Sequence, residues 1–189
     1  MAQHKHWGLV FRKSGWKLGQ PFTATVFVDC GHGSCPDTRR SRGGYFVFLN
    51  GDNVDFKARL QPGVPAQSTA IAEYRSVTDA CNAIIAIRSY LHGLGMQLKE
   101  PVLFREDNQA CINIATNYMT TKRTRHVDIK HHVIRYWCRR NVLDFAYIDT
   151  HSQLADIMTK CLAGPAFRRH REQCMSDIHI EDAPGRFAH

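Results

Sequence analysis

The chain has 189 residues, 43% of them hydrophobic, enough for one sizeable core and one domain with tails. Lys and Arg number 25 against 17 Asp and Glu, and the formal net charge of +8 favours a polyanionic partner, nucleic acid before membrane. No run of about 18 apolar residues is present to span a membrane, Met1 to Trp7 is too polar for a secretory signal, and seven Cys without a C-x-x-C spacing argue against a disulfide framework or zinc site and for a reducing compartment.

Trp7 to Arg12 reads as a short apolar strand, followed by a polar turn from Lys13 to Gln20. Thr23 to Asp29 is β-branched and aromatic with no Gly or Pro, so a buried strand is expected over Ala24 to Asp29. It ends in a carboxylate just before the turn Cys30-Gly31-His32-Gly33. An Asp in that place lies at the lip of a sheet, where α/β folds put their chemistry; taken alone, Asp29 could equally do no more than start the turn. Pro36 to Gly44 is a basic loop, Tyr45 to Leu49 a second strand, and Asn50-Gly51-Asp52-Asn53 a hairpin turn. Val54 to Leu60 alternates Val54, Phe56 and Ala58 with Asp55, Lys57 and Arg59, as a half-exposed third strand does. Gln61 to Gln67 holds two Pro and reads as loop.

Ser68 to His92 is the longest helix, with Ser68 as N-cap and Gly93 as its stop. Its apolar stripe runs through Val77, Ala80, Ile84, Ile87 and Leu91, and one turn before Val77 it meets Glu73. A carboxylate on a core-facing stripe is costly unless it is paired or binds a cation; the simpler alternative is a Glu reaching the exposed helix end. Pro101 to Arg105 is a fourth strand, joined through Glu106-Asp107-Asn108-Gln109 to a helix over Ala110 to Thr116. Asp107 is either that helix's N-cap or a site residue. Strand alternation turns Glu106 the other way, so one of the two can join a common site.

Asn117 to Arg125 is a basic loop, and a helix is expected from His126 to Asn141. Lys122, Arg123, Arg125, Lys130, Arg135 and Arg139 would form a phosphate-tracking surface, against the plainer reading of a solvated charged face. His126, His131 and His132 lack a zinc spacing and face different ways on a helix, which favours structural or substrate-facing roles. Asp128 is the rival acidic residue; it shares a face with His132, Arg135 and Arg139, which suits charge balance. Asp144 to Ile148 is a fifth strand, and His151 to Lys160 a short helix with Leu154, Ile157 and Met158 inward and Asp156 beside them. Pro165 to His189 carries basic helix-like residues and then a polar, poorly ordered tail.

Hairpin pairing makes the first three strands antiparallel, and the long helix crosses over so that the fourth lies parallel to the first. A right-handed crossover sets the ends of those two strands side by side, bringing Asp29 and Asp107 together with Glu73 above them. Three converging carboxylates repel one another and need cations; all-oxygen ligation selects hard ions, Mg²⁺ or Mn²⁺.

Five stretches resemble the signatures of copia-type retrotransposon ribonuclease H. They are D-T-R-R-S-R-G-G-Y-F-V-F-L-N-G (Asp37 to Gly51), S-T-A-I-A-E-Y (Ser68 to Tyr74), E-D-N-Q-A-C-I (Glu106 to Ile112), R-T-R-H-V-D-I-K-H-H-V-I-R (Arg123 to Arg135) and Q-L-A-D-I-M-T-K (Gln153 to Lys160). They occur in order, with nearly unbroken spacing, between about Trp7 and Arg171. G-L-V-F-R-K-S (Gly8 to Ser14) is similar to the end of the connection from a reverse transcriptase, as in the last module of a Pol polyprotein. The resemblance implies an α/β ribonuclease H-like fold, a five-stranded mixed sheet flanked by helices, over residues 21–163. Residues 1–20 would be a connection remnant, and residues 164–189 a basic extension and tail.

Carried over residue by residue, the family's acidic quartet falls on Asp29, Glu73, Asp107 and Asp156. It implies two Mg²⁺ or Mn²⁺ ions, with Asp29 bridging them and Asp156 the weakest ligand, and hydrolysis of the RNA strand of an RNA·DNA hybrid. Asn108 and Gln109 join the six cations as hybrid contacts. The reverse transcriptase domain of the same polyprotein is the implied protein partner. The implied location is cytoplasmic, in a virus-like particle, with access to the nucleus. There are departures from the family's pattern. Asp29-Cys30-Gly31-His32 stands where the family writes D-A-D-W, which changes the loop and its substrate contact but not Asp29. Ile71 stands where a Glu would complete a capping box. His151 lies near Asp156, where many ribonucleases H use a mobile His, but the copia-type loop is short and no catalytic role is assigned to it. The alternative function is a domesticated or decayed copy that binds nucleic acid or assembles without cutting it. Met1 and the altered loop lean that way, and the complete quartet leans more strongly towards the enzyme. An integrase-like transferase shares fold and metal chemistry but not this acidic spacing.

Overall fold

A computed structural model describes residues 7–11, 15–117 and 132–177. Lys122, Arg123, Arg125, His126, Asp128, Lys130 and His131 lie outside the described residues, as does most of the polar tail.

Five strands form the central sheet: β2 (Ala24–Gly31), β3 (Arg42–Leu49), β4 (Asp52–Leu60), β5 (Val102–Glu106) and β6 (Leu143–Tyr147). Their order is β4-β3-β2-β5-β6. β2, β3 and β4 pair antiparallel, whereas β5 runs parallel to both β2 and β6, giving the expected mixed sheet. The hairpin between β3 and β4 turns on Asn50 (φ 51°) and Gly51 (φ 90°), the two left-handed positions of a primed turn. The Asn50 side chain also accepts from the backbone N–H and hydroxyl of Thr23, tying the turn to the start of β2.

β4 departs from its expected alternation. The ladder slips between Val47 and Phe48, so a bulge interrupts the period-two pattern. Phe56, one of the alternating apolar residues, is 50% exposed on this edge strand.

Helix α1 (Thr69–Gly93) is capped by Ser68, whose hydroxyl accepts from the Ile71 N–H. With α2 (Gln109–Thr116) and α3 (His132–Arg139) it covers one face of the sheet over Val26, Val28, Val77, Ile84, Phe104 and Ile134. Across the sheet, α4 (Asp156–Thr159) and α5 (Gly164–Cys174) bring Leu154, Ile157, Met158 and Cys174 onto Phe46 and Phe48. Between β6 and α4 the backbone makes a short 3₁₀ turn at Thr150–Ser152, so the helix expected from His151 to Lys160 is two shorter pieces.

Two adjacent glycines let both helical layers close down. Successive strand residues face opposite sides of a sheet. A Cβ on Gly43 would collide with Ser76 of α1, and one on Gly44 would stand 2.5 Å from the Met158 Cβ of α4. A second, two-stranded sheet was not foreseen. In it, β1 (Trp7–Gly8) pairs antiparallel with β7 (Ser176–Asp177), and the Arg171 guanidinium lies 3.6 Å from the Trp7 ring centroid. The segment just past Pro165 is thus an ordered helix with buried His170, Arg171 and Cys174.

Candidate active site

Asp29 sits where two strands part. β2 continues two residues beyond it and stays paired with β3 as far as Gly31, but its parallel ladder with β5 ends at Phe27. The gap is bridged by Gln153, whose buried side-chain amide donates to the carbonyls of Val28 and Arg105. Asp29 itself is fully buried. One carboxylate oxygen accepts from the Thr159 hydroxyl, and the other accepts from Lys160 Nζ at 3.0 Å.

Asp107 follows β5 directly. The cap of α2 is Asn108, whose side chain accepts from the Cys111 N–H, so Asp107 is free of that task and half-buried in the cleft. Its Oδ2 accepts from the Thr150 hydroxyl at 3.0 Å. Glu106 turns inward and is fully buried; one oxygen accepts from the Asn108 N–H, and the other has no hydrogen-bond partner among the described residues. Glu73, in the second turn of α1, is 3% exposed, and its Oε2 is likewise unpartnered.

One oxygen from each of Asp29, Glu73 and Asp107 can be chosen so that all lie within 4.8 Å of one another. Asp156 lies beside this trio, 5% exposed, joined to Asp29 through Lys160 Nζ, which is 2.7 Å from Asp156 Oδ1. The electrostatics record the crowding. Burial, then the charges of Glu106, Asp29 and Asp107, push the Glu73 carboxyl up to about 11. Burial also raises Glu106, and it raises Asp156 to about 6 against the hydrogen bond from Lys160. The Lys160 ammonium, although burial works against it, is held above its ordinary value by Asp156 and Asp29.

Glu73 and Asp107 line a cleft of about 570 Å³ whose wall also includes His32, Thr69, Asn108, Gln109, Thr150 and Lys160, with Asp29 buried behind them. An all-carboxylate donor set with a buried, unpartnered oxygen suits a hard divalent cation. Uncompensated, the same set is a concentration of like charge.

The other sequence-derived candidates fall differently. Gln109 is exposed at the cleft, while the Asn108 side-chain oxygen is engaged in capping. Arg135 is a correction: it is buried, and its Nε donates to the Ile114 carbonyl at 3.0 Å, so it braces α3 against α2 instead of facing a phosphate backbone. Arg139 is exposed at the end of α3, and His132 opens that helix. His151 is exposed; its carbonyl accepts from Arg169, while its neighbour Thr150 is the residue that reaches Asp107. Lys160, Thr159, Thr150 and Gln153 were not picked out individually from the sequence. Lys160 and Gln153 end and begin the Q-L-A-D-I-M-T-K stretch, which was the available signal.

No protein-family model matches the chain. It is 32% identical over 152 residues to the retrovirus-related Pol polyprotein from transposon RE2 of Arabidopsis thaliana, covering 80% of this chain and 10% of the polyprotein. It is also 32% identical over 136 residues to that from transposon TNT 1-94 of Nicotiana tabacum, covering 72% of this chain and again 10% of the polyprotein. The chain thus corresponds to about a tenth of these relatives. Among solved structures, the N-terminal RNase H domain of a Mycobacterium tuberculosis protein superposes with TM-score 0.52 at 8% identity, over 80% of this chain and 97% of that one. An RNase H1 isolated from compost superposes with TM-score 0.51 at 16% identity, over 78% and 96%. Sequence and fold together make this chain a homologue of a short part of retrotransposon Pol polyproteins, with the ribonuclease H-like fold.

Proposed function

We propose that the chain is a metal-dependent endonuclease that hydrolyses the RNA strand of RNA·DNA hybrids during retrotransposon reverse transcription. The observation that carries this is the convergence of Asp29, Glu73 and Asp107, from a strand, a crossover helix and a second strand end, within 4.8 Å. Two Mg²⁺ or Mn²⁺ ions bound there would supply an activated water and charge neutralisation at the leaving 3′ oxygen.

The chain's own contribution is positioning. Asp29, central in the sheet, lies against both Glu73 with Asp107 and Asp156 with Lys160, so it would help hold an ion in either half. Hydroxyls of Thr159 and Thr150 fix the rotamers of Asp29 and Asp107. Glu73 closes the trio from α1, and Asp156, outside the trio, is the peripheral ligand. Gln109 and the exposed Arg139, with the cations at 122, 123, 125 and 130, are the proposed hybrid contacts. The proposed protein partner is the reverse transcriptase part of the same polyprotein, the product of which this activity would process.

The test is cleavage of a hybrid labelled on its RNA strand, with and without Mg²⁺, by the parent and by Asp29→Asn. The parent should cut only with metal. Asp29→Asn should lose at least about a hundredfold in rate, on the scale of removing one charge-stabilising group, while still binding hybrid. A parent that cuts nothing in Mg²⁺ or Mn²⁺, or an Asp29→Asn that cuts equally well, would overturn the enzyme reading in favour of a non-catalytic binding module.

A further inference from the structure

Lys160 lies immediately after α4, one turn beyond Asp156, and its side chain is 37% exposed on the cleft wall. Its ammonium spans Asp29 Oδ1 at 3.0 Å and Asp156 Oδ1 at 2.7 Å. The four acidic residues therefore form two unequal halves. In one, Asp29, Glu73 and Asp107 converge with a buried Glu73 oxygen that has no hydrogen-bond partner among the described residues. In the other, Asp29 and Asp156 already share a cation, and it belongs to the protein.

We propose that Lys160 is the resident counter-cation of the Asp29–Asp156 half, which a divalent ion has to displace before it can bind there. This rests on the metal-dependent reading above and adds an order to it. An ion entering the open trio meets an unpartnered carboxylate oxygen. An ion entering between Asp29 and Asp156 must break two charge-assisted hydrogen bonds and meets an ammonium a few ångströms away. The two ion-binding steps are therefore unequal, and the lysine sets the gap. The arrangement also explains how Asp156 and Asp29 stay close when no ion is bound: the ammonium neutralises the pair. Its partial exposure is what makes displacement feasible, since the released ammonium swings into solvent or onto a phosphate in the cleft without crossing the core.

The test needs no nucleic acid. Mn²⁺ is titrated into the metal-free protein, with free Mn²⁺ followed by electron paramagnetic resonance, for the parent, Lys160→Met and Lys160→Arg. The parent should take up one ion and then a second at least about tenfold more weakly, and Lys160→Met should tighten the second step about tenfold or more. Lys160→Arg keeps the charge and should follow the parent. In chelator, Lys160→Met should melt below the parent and recover with Mn²⁺; Lys160→Gln provides the same comparison if the Met variant does not fold. A folded Lys160→Met or Lys160→Gln whose Mn²⁺ affinities stay within twofold of the parent's would overturn the inference, as would a parent that binds two ions equally or none. If instead Mn²⁺ uptake behaves as expected but the parent cuts no hybrid, the proposed function fails and the role of Lys160 stands.

Discussion

Raising the pH should destabilise the metal-free protein, and Glu73 sets much of the slope. Its carboxyl moves from its ordinary 4.5 up to about 11 in the folded protein, through burial first and then the charges of Glu106, Asp29 and Asp107. A group with a raised folded pKa contributes stability that is complete below the unfolded value and is lost as pH climbs to the folded one. Between the two values the native state holds a proton that the unfolded chain has released. Each such proton is worth at most about 1.4 kcal/mol per pH unit. From about pH 6.5 to about pH 8.5 the loss is therefore roughly 2.7 kcal/mol for Glu73 alone, or about 5–11 °C in Tm for a chain of this size. Glu106 shifts in the same direction and adds to the slope. Asp156, raised to about 6, has largely titrated below that window, and His170, whose pKa burial lowers, works the other way at its acid edge, where the unfolded imidazole still holds part of a proton. The assay is thermal unfolding in chelator across that range for the parent and Glu73→Gln, repeated with Mg²⁺. The parent should fall with pH, Glu73→Gln should fall less steeply by about one proton, and Mg²⁺ should flatten the parent's profile. A parent whose Tm stays level or rises over the window, or a Glu73→Gln slope equal to the parent's, would refute the reasoning.

Gly44→Ala should cost about 1–3 kcal/mol by overpacking, because its Cβ would stand 2.5 Å from Met158 Cβ and 3.1 Å from Thr159 Cγ2, and it should weaken Mn²⁺ binding by lifting α4; an unchanged Tm by calorimetry would contradict the close approach. Arg135→Ala should cost roughly 1.5–3 kcal/mol in urea unfolding, through the lost bond to the Ile114 carbonyl, and leave the salt dependence of hybrid binding untouched. Arg139→Ala, at an exposed position, should instead lower the slope of log K against log salt by about one; the opposite pattern would return Arg135 to the phosphate-facing surface. Gln153→Ala should destabilise by about 2 kcal/mol or more, since it unties the Val28 and Arg105 carbonyls at the parting of β2 and β5.

Several features could be read from residues alone because local chemistry decides them. Ser68 caps α1, and Asn50-Gly51 turns the hairpin, since each conformation is set within a few residues. Glu73 is legible because it interrupts an apolar stripe, and strand alternation separates Glu106, which is fully buried, from Asp107, which is half-buried at the cleft. What escaped depends on distant partners. Lys160 reads as an ordinary helical neighbour of Asp156, and only the fold carries it to Asp29, 131 residues away in sequence. Arg135 looks like one more cation on a basic helix until the Ile114 carbonyl of α2 claims it. β7 is two residues long, too short for any periodicity to register, and its pairing with β1, at the start of the strand read from Trp7, is set by the fold. Phe56 lies beside Phe46 on the edge strand and is 50% exposed, since its burial depends on what covers that edge and not on the strand's own period.

The two main anomalies of the site have one cause. Crowded carboxylates must be neutralised, and the metal-free chain does this in two ways: a proton retained on Glu73, and the ammonium of Lys160 between Asp29 and Asp156. Both are compensations that a divalent ion would make unnecessary, so both should be released as ions bind. Proton release on Mn²⁺ binding and displacement of Lys160 are then two readings of one equilibrium. The compensations also differ in where they act. The proton sits on the trio that the first ion would occupy, and the lysine guards the half that the second would need. Asp29, common to both, has one oxygen held by Thr159 and the other by Lys160, so its position does not depend on an ion being present. The site is thereby organised before metal arrives, at the expense of making the second ion compete for its place.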